Sequence, residues 1–161
     1  MPGAPLIRAL APSEAALLLP LHAALHDLHV AARPDVFHGR GAAADVAAHL
    51  AEQIARPGWF CLLAEAGGQA LGYTLCERQE VTADALRCAR VRGFVHHVAV
   101  AEGARRRGIG TALLAAAHAR FLSEGATVWA TTYWAWNGPS AALFAKAGLQ
   151  PAIVLADATL G

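Results

Sequence analysis

The segment Val98-Ala-Val-Ala-Glu-Gly-Ala-Arg105-Arg-Arg-Gly108-Ile-Gly110-Thr111 limits the possible folds more than any other part of this 161-residue chain. Before it, Arg92–Val100 is rich in β-branched and aromatic residues and reads as a strand. After it, residues 108–123 read as a helix, with Gly125 placed to end it. A strand that runs through a short glycine-bearing loop into a helix implies layers of sheet and helix. The junction also has a chemical consequence. The first N–H groups of a helix have no partner inside it. They form the positive end of the helix dipole, worth up to ~2 kcal/mol to a well-placed anion. Gly108 and Gly110 leave room for an anion, and Arg105, Arg106 and Arg107 add charge and forked donors. Two common phosphate patterns are excluded. Leu113 stands at the third glycine of G-x-G-x-x-G, and no Gly-Lys-Ser/Thr occurs. What remains is R-x-x-G-x-G.

The other elements follow from periodicity and punctuation. Leu6–Leu10 predicts a short strand. Ser13 is placed to cap a helix, with Glu14 in its first turn. Leu17, Leu18, Leu21, Leu25 and Leu28 give that helix one apolar face to about Ala32, and Pro20 predicts a kink or two shorter helices. Ala43–Ala55 is a second helix, with Val46, Leu50 and Ile54 on one face. Trp59–Glu65 and Gln69–Glu77 are strands joined by a Gly67-Gly68 turn, and residues 78–90 read as a loop. Thr127–Trp136 is a strand, Pro139–Ala147 a helix stopped by Gly148, and Ala152–Leu155 a last strand. The order β-α-α-β-β-β-α-β-α-β predicts one α/β (α+β) domain over residues 1–161, a mixed sheet with helices on its faces.

Charge and composition narrow the partners. Thirteen Lys and Arg nearly balance twelve Asp and Glu, for a net charge of +1, so nucleic acid is not indicated. Cys61, Cys76 and Cys88 form neither a disulfide framework nor a zinc pattern. Free thiols fit a reducing, cytoplasmic location, and Cys61 and Cys76 read as buried structural thiols. No apolar run approaches the ~20 residues of a membrane span. The first ten residues are too short and too interrupted for a signal peptide.

The R-x-x-G-x-G junction resembles the pyrophosphate-binding motif of the GNAT acetyltransferases. A second stretch, Asn137-Gly-Pro-Ser-Ala-Ala-Leu-Phe144-Ala-Lys-Ala-Gly148-Leu, is similar to that family's second signature, and the two lie at family spacing. The resemblance covers about residues 92–155; Leu6–Glu77 matches only in element order. It implies a GNAT-like fold in which the strands Arg92–Val100 and Thr127–Trp136 splay apart, with acetyl-CoA as co-substrate in the gap. By this resemblance Val98, Ala99 and Val100 line the pantetheine, which pairs with the strand as an added strand would. Arg105, Arg106, Arg107, Gly108, Ile109, Gly110 and Thr111 surround the pyrophosphate, and Asn137 and Phe144 meet the coenzyme from the other side. The implied activity is acetyl transfer to a primary amine of a small molecule, by direct attack in a ternary complex. A protein or peptide amine is the alternative acceptor. From another class, a degenerate acyl-CoA-binding module stays open, as does a monomer or a homodimer.

An amine with pKa ~10.4 is protonated at neutral pH, so such a site needs a base, and it needs donors for the developing oxyanion. By resemblance an N–H near Val98 supplies the oxyanion contact. Family members place a glutamate base where this chain has Thr132 or Phe94. The arylalkylamine acetyltransferases carry a histidine at the position of His96, which makes His96 the candidate base. His97 is the second candidate, pointing to the opposite face by strand alternation. The family's usual acid, a tyrosine seven residues after the asparagine, is replaced by Phe144. Asp27, Asp35, Glu77 and Glu80 are candidate acceptor-site acids, and Trp134 and Trp136 flank the gap as pocket or core. His22, His26 and His29 share one helical face, with His38 downstream; a solvated polar face explains them as well as a metal, and no metal is expected.

Overall fold

A computed structural model describes residues 5–160. The first four residues, where the reading against a signal peptide begins, and Gly161 lie outside the described residues. One sheet holds five strands in the order β1 (Leu6–Ala9), β2 (Trp59–Ala66), β3 (Gln69–Val81), β4 (Arg90–Val100) and β5 (Val128–Thr131). The first four are antiparallel to their neighbours, and β4 and β5 run parallel. Helices α1 (Leu19–Ala32) and α2 (Ala43–Ala55) belong to one face, α3 (Ile109–Ser123) and α4 (Gly138–Lys146) to the other. This is the mixed sheet that the element order predicts.

Strand alternation builds both cores. Cys61 and Leu63 of β2 join Leu18, Leu21, Leu50 and Ile54 beneath α1 and α2. Phe60, Leu62 and Ala64 point the other way, toward Leu113, Leu114, Ala117 and Phe121 of α3. A strand covered on both faces reads as an unbroken apolar run, as β2 does. The hairpin between β2 and β3 turns on Gly67 and Gly68, whose φ values of +57° and +75° suit a tight turn between twisted strands. Cys61 and Cys76 are buried free thiols, and burial pushes Cys76 up to about 12.

At Pro20 the second of the two expected outcomes, two shorter helices rather than a kink, is found. A 3-10 segment, Pro12–Leu18, precedes α1, and Pro20 stands in the first turn of α1, where its missing N–H costs nothing. Several expectations are corrected. Ala11, not Ser13, is the N-cap; Glu14 reaches back to accept from the Ala11 N–H at 2.9 Å, and its other partner is Arg8. Pro12–Ala32 is in fact long and apolar enough to cross a membrane by length and composition, because its histidines interrupt it without formal charge. In this fold it sets Leu18 and Leu21 into the core. Residues 78–81 and 90–91 extend the β3–β4 ladder rather than forming a loop, with Gln79 opposite Arg92 and Val81 opposite Arg90. Their polar residues pair with each other, which composition alone does not reveal. The strand read over Thr127–Trp136 ends at Thr131. No strand forms at Ala152–Leu155: residues 150–160 make no backbone–backbone hydrogen bond, and Ile153, Val154 and Leu155 are 91%, 87% and 91% exposed. β-branched composition needs a neighbouring edge, and this segment has none.

Candidate functional site

The pairing of β4 with β5 runs from Arg92 opposite Val128 to Val95 opposite Thr131 and then stops. The Thr131 hydroxyl closes the register by donating to the Val95 carbonyl at 2.9 Å. β4 continues to Val100, while the chain beyond β5 turns away through Thr132–Asn137. The second half of β4 therefore has an open edge and a gap beside it. Past Val100, a 3-10 turn at Glu102–Ala104 and three exposed arginines lead into α3. Gly108 caps α3 with φ +80°, a left-handed conformation that favours glycine. The first helical bond runs from the Ala112 N–H to the Gly108 carbonyl, so the N–H groups of Ile109, Gly110 and Thr111 are open to a ligand. Arg105 is turned onto the end of β4, its Nε donating to the Val100 carbonyl at 3.3 Å. A Cβ on Gly110 would come within 3.3 Å of Leu143. The space at Gly110 thus also serves close packing of α4 against α3, a role not visible in the motif.

On the far side of the gap, Asn137 caps α4, its side-chain oxygen accepting the Ser140 N–H at 3.2 Å. The NH2 of Asn137 takes no part in that bond and stays free as a donor. Phe144 lies in the core and is 3% exposed. Tyr133 lies outside α4, in the chain that follows β5. Yet its ring stacks on Phe144 at 5.8 Å and 16°. A phenol thus stands next to the position where the family's tyrosine would be. No spacing rule pointed to it, because the contact depends on the chain turning away from the sheet after Thr131.

A β-bulge sets the histidines. Leu75 opposes His97, and Cys76 opposes Val95, so His96 is the extra residue. His96 and His97 consequently emerge on the same face, that of α1 and α2, which corrects the expectation that His97 faces away. His96 stacks on Trp59 at 4.2 Å and 12°, and meets Phe94 at 4.8 Å with the rings tilted by 49°. Its Nε2 lies 2.8 Å from the Glu77 carboxylate. Glu77 also accepts from the Gln79 amide at 2.6 Å, and Gln79 accepts from Arg92 at 2.6 Å and 2.9 Å. The chain Arg92–Gln79–Glu77–His96 fixes the ring, with Nε2–H donating to Glu77 and Nδ1 left as acceptor. His97 differs. Tyr73 donates to its Nδ1 at 3.3 Å, and the His22 ring lies 5.7 Å away. Burial, with the neighbouring histidines His22 and His96, lowers its pKa to about 3. A base that weak cannot usefully take a proton from an ammonium.

The other predicted residues are dispersed. Asp27 is held by Arg40, and Asp35 by Arg33, both on the surface. Each carboxyl is lowered below its ordinary value, first by the hydrogen bond from its arginine. Glu80 pairs with Arg78. Trp134 lies under the Arg33 guanidinium, 4.9 Å from its ring centroid. His22 and His26 stack at 6.0 Å, and the His26 Nε2 lies 2.8 Å from the His38 carbonyl. Among the described residues no three His, Cys, Asp or Glu side chains form a metal-holding group.

The profile of the acetyltransferase (GNAT) family matches residues 22–149. No curated protein sequence matches the chain. Among solved structures, a tetramutant of BH1408 from Bacillus halodurans superposes with TM-score 0.88 at 14% identity, covering 96% of this chain and 99% of its own. The aminoglycoside N-acetyltransferase AAC(6')-Iy in complex with CoA gives 0.76 at 16%, with 98% and 96% covered. A putative acetyltransferase from Agrobacterium tumefaciens str. C58 gives 0.75 at 18%, with 96% and 99% covered. At these identities the likeness is one of fold.

Proposed function

This chain belongs to the GNAT acetyltransferase family, and we propose that it transfers the acetyl group of acetyl-CoA to the primary amine of a small molecule. The observation that carries the reading is the open half of β4 leading into the unpaired N–H groups at the start of α3. Those N–H groups and Arg105, Arg106 and Arg107 hold the pyrophosphate. The free edge at Val98, Ala99 and Val100 receives the pantetheine arm as an added strand. Asn137 offers its NH2 from the opposite side.

His96 acts as the base. Its Nδ1 takes the proton of the incoming ammonium, directly or through one water, and Glu77 balances the charge that forms on the ring. The freed amine nitrogen attacks the thioester carbon. As the new C–N bond forms, the carbonyl oxygen gains negative charge, and an N–H near Val98 donates a hydrogen bond to it. The attacking nitrogen gives its second proton to water as the C–S bond breaks, and the thiolate takes a proton from water or from the Tyr133 hydroxyl beside Phe144.

Calorimetry with acetyl-CoA, paired with a thiol-release assay over a panel of amines, tests this. Gly110→Asp puts a carboxylate at the pyrophosphate and should abolish binding. Gly110→Ala controls for the contact with Leu143 and should weaken it far less. Equal affinity in wild type and Gly110→Asp would overturn the coenzyme site. Tight binding without thiol release from any amine would favour the acyl-CoA-binding module.

A further inference from the structure

We infer that the acceptor amine carries a single cationic centre on an apolar, ring-bearing body, and is not a polycation. This rests on the acetyltransferase reading and names the substrate class of that same site.

On the α1 face, the two sides of the gap are joined by a run of rings. His97 of β4 lies 5.7 Å from His22, and His22 stacks on His26. Phe37 meets His26 at 6.1 Å, His29 at 5.1 Å and Trp134 at 5.9 Å. His29 in turn meets Trp136 at 6.0 Å. His22, His26 and His38 also form part of the wall of a cavity of about 380 Å³, together with Arg40 and apolar residues such as Leu19, Pro20 and Val46. Burial lowers the pKa of both His22 and His29, which disfavours their charged forms.

The carboxylates around this wall are already engaged. β4 and residues 128–146 contain no Asp or Glu. On α1 and the loop after it, Asp27 is bound to Arg40 and Asp35 to Arg33; Asp157 of the C-terminal segment is bound to the same Arg33. On β3, Glu77 accepts hydrogen bonds from His96 and Gln79, and Glu80 is paired with Arg78. Asp45, Glu52 and Glu102 have no ion-pair partner among the described residues, and none of them lines the cavity. A ligand with several ammonium groups would find no free carboxylates for them, and uncompensated charge near apolar walls is costly. One cation is different, because an aromatic face can hold it. Trp134 already does so for Arg33. The wall therefore suits an aryl- or cycloalkyl-bearing monoamine.

The test titrates 2-phenylethylamine, spermidine and kanamycin into the protein with and without CoA, by calorimetry, and compares thiol release from acetyl-CoA. We expect kcat/KM for 2-phenylethylamine to exceed that for either polycation at least tenfold. Phe37→Ala should weaken 2-phenylethylamine binding at least fivefold and leave acetyl-CoA affinity unchanged. Preference for spermidine or kanamycin would overturn the inference, as would 2-phenylethylamine binding that is absent or indifferent to Phe37→Ala. Failure of acetyl-CoA itself to bind would refute the acetyltransferase reading instead, and the titrations without CoA would still decide the class of amine.

Discussion

Acidification should destabilise this fold through His97, by an amount that one substitution can isolate. In the unfolded chain the imidazole titrates near 6.5, and in the fold its pKa is lowered to about 3. Between those values the unfolded state binds the extra proton, so stability rises with pH across the window. The contribution is fully present above about 6.5 and is lost progressively as pH falls toward 3. At pH 5, roughly 1.5 pH units below the unfolded value, the loss is about 2 kcal/mol at ~1.36 kcal/mol per unit. His22 and His29 are also lowered, burial first, and add loss in the same direction. They remain in His97→Asn, whose amide oxygen can still accept from Tyr73, so the difference between the proteins isolates His97. Urea unfolding at pH 7 and pH 5 measures it. Wild type should lose about 2 kcal/mol more than His97→Asn over this interval. Equal losses would show that His97 is hydrated or that its face opens readily, and the assignment of a neutral, half-buried imidazole would be wrong.

Three other outcomes are expected. His96→Ala should lower kcat/KM roughly 100-fold, with partial rescue by added imidazole and unchanged acetyl-CoA affinity by calorimetry. Tyr133→Phe should lower kcat with little change in KM if its hydroxyl protonates the thiolate, and Phe144→Tyr in that background should restore turnover; steady-state kinetics of the two variants decide it. Ending the chain at Leu149 removes exposed Ile153, Val154 and Leu155 and the Arg33–Asp157 pair, so Tm should move by no more than about 2 °C by scanning calorimetry. A larger fall would mean that the segment packs against something, with a second copy of the chain as the first suspect.

The legible parts of the sequence were those governed by local rules. The glycine pair at Gly67-Gly68, the apolar run of β2 and the Gly108 junction each fix geometry within a few residues, and each reads correctly. Residues 78–81 and 90 misled because polar side chains there satisfy one another across two strands, as Arg92 and Gln79 do, while residues 82–89 are the loop expected. Thr132–Trp136 has strand composition but lies where β4 and β5 diverge, and composition does not carry that divergence. At the candidate site, the glycine-bearing loop before α3 and Asn137 stood out by motif. The link between Glu77 and His96, and the stacking of Tyr133 on Phe144, are tertiary meetings of residues 19 and 11 positions apart in sequence. No periodicity announces them.

The extra residue at His96 gives β4 two reading frames. Upstream, Val95 faces α3 and holds the register with β5; downstream, Val98 and Val100 face that side again, but out of phase by one residue. Deleting one residue at position 96 would merge the frames. Either the half bound to β5 or the half that lines the gap would then have to turn its side chains over. With the bulge in place, each half keeps its own phase. Residues of the gap can therefore vary in size and chemistry without dragging the β4–β5 ladder out of step, and a change in acceptor need not threaten the frame that supports it.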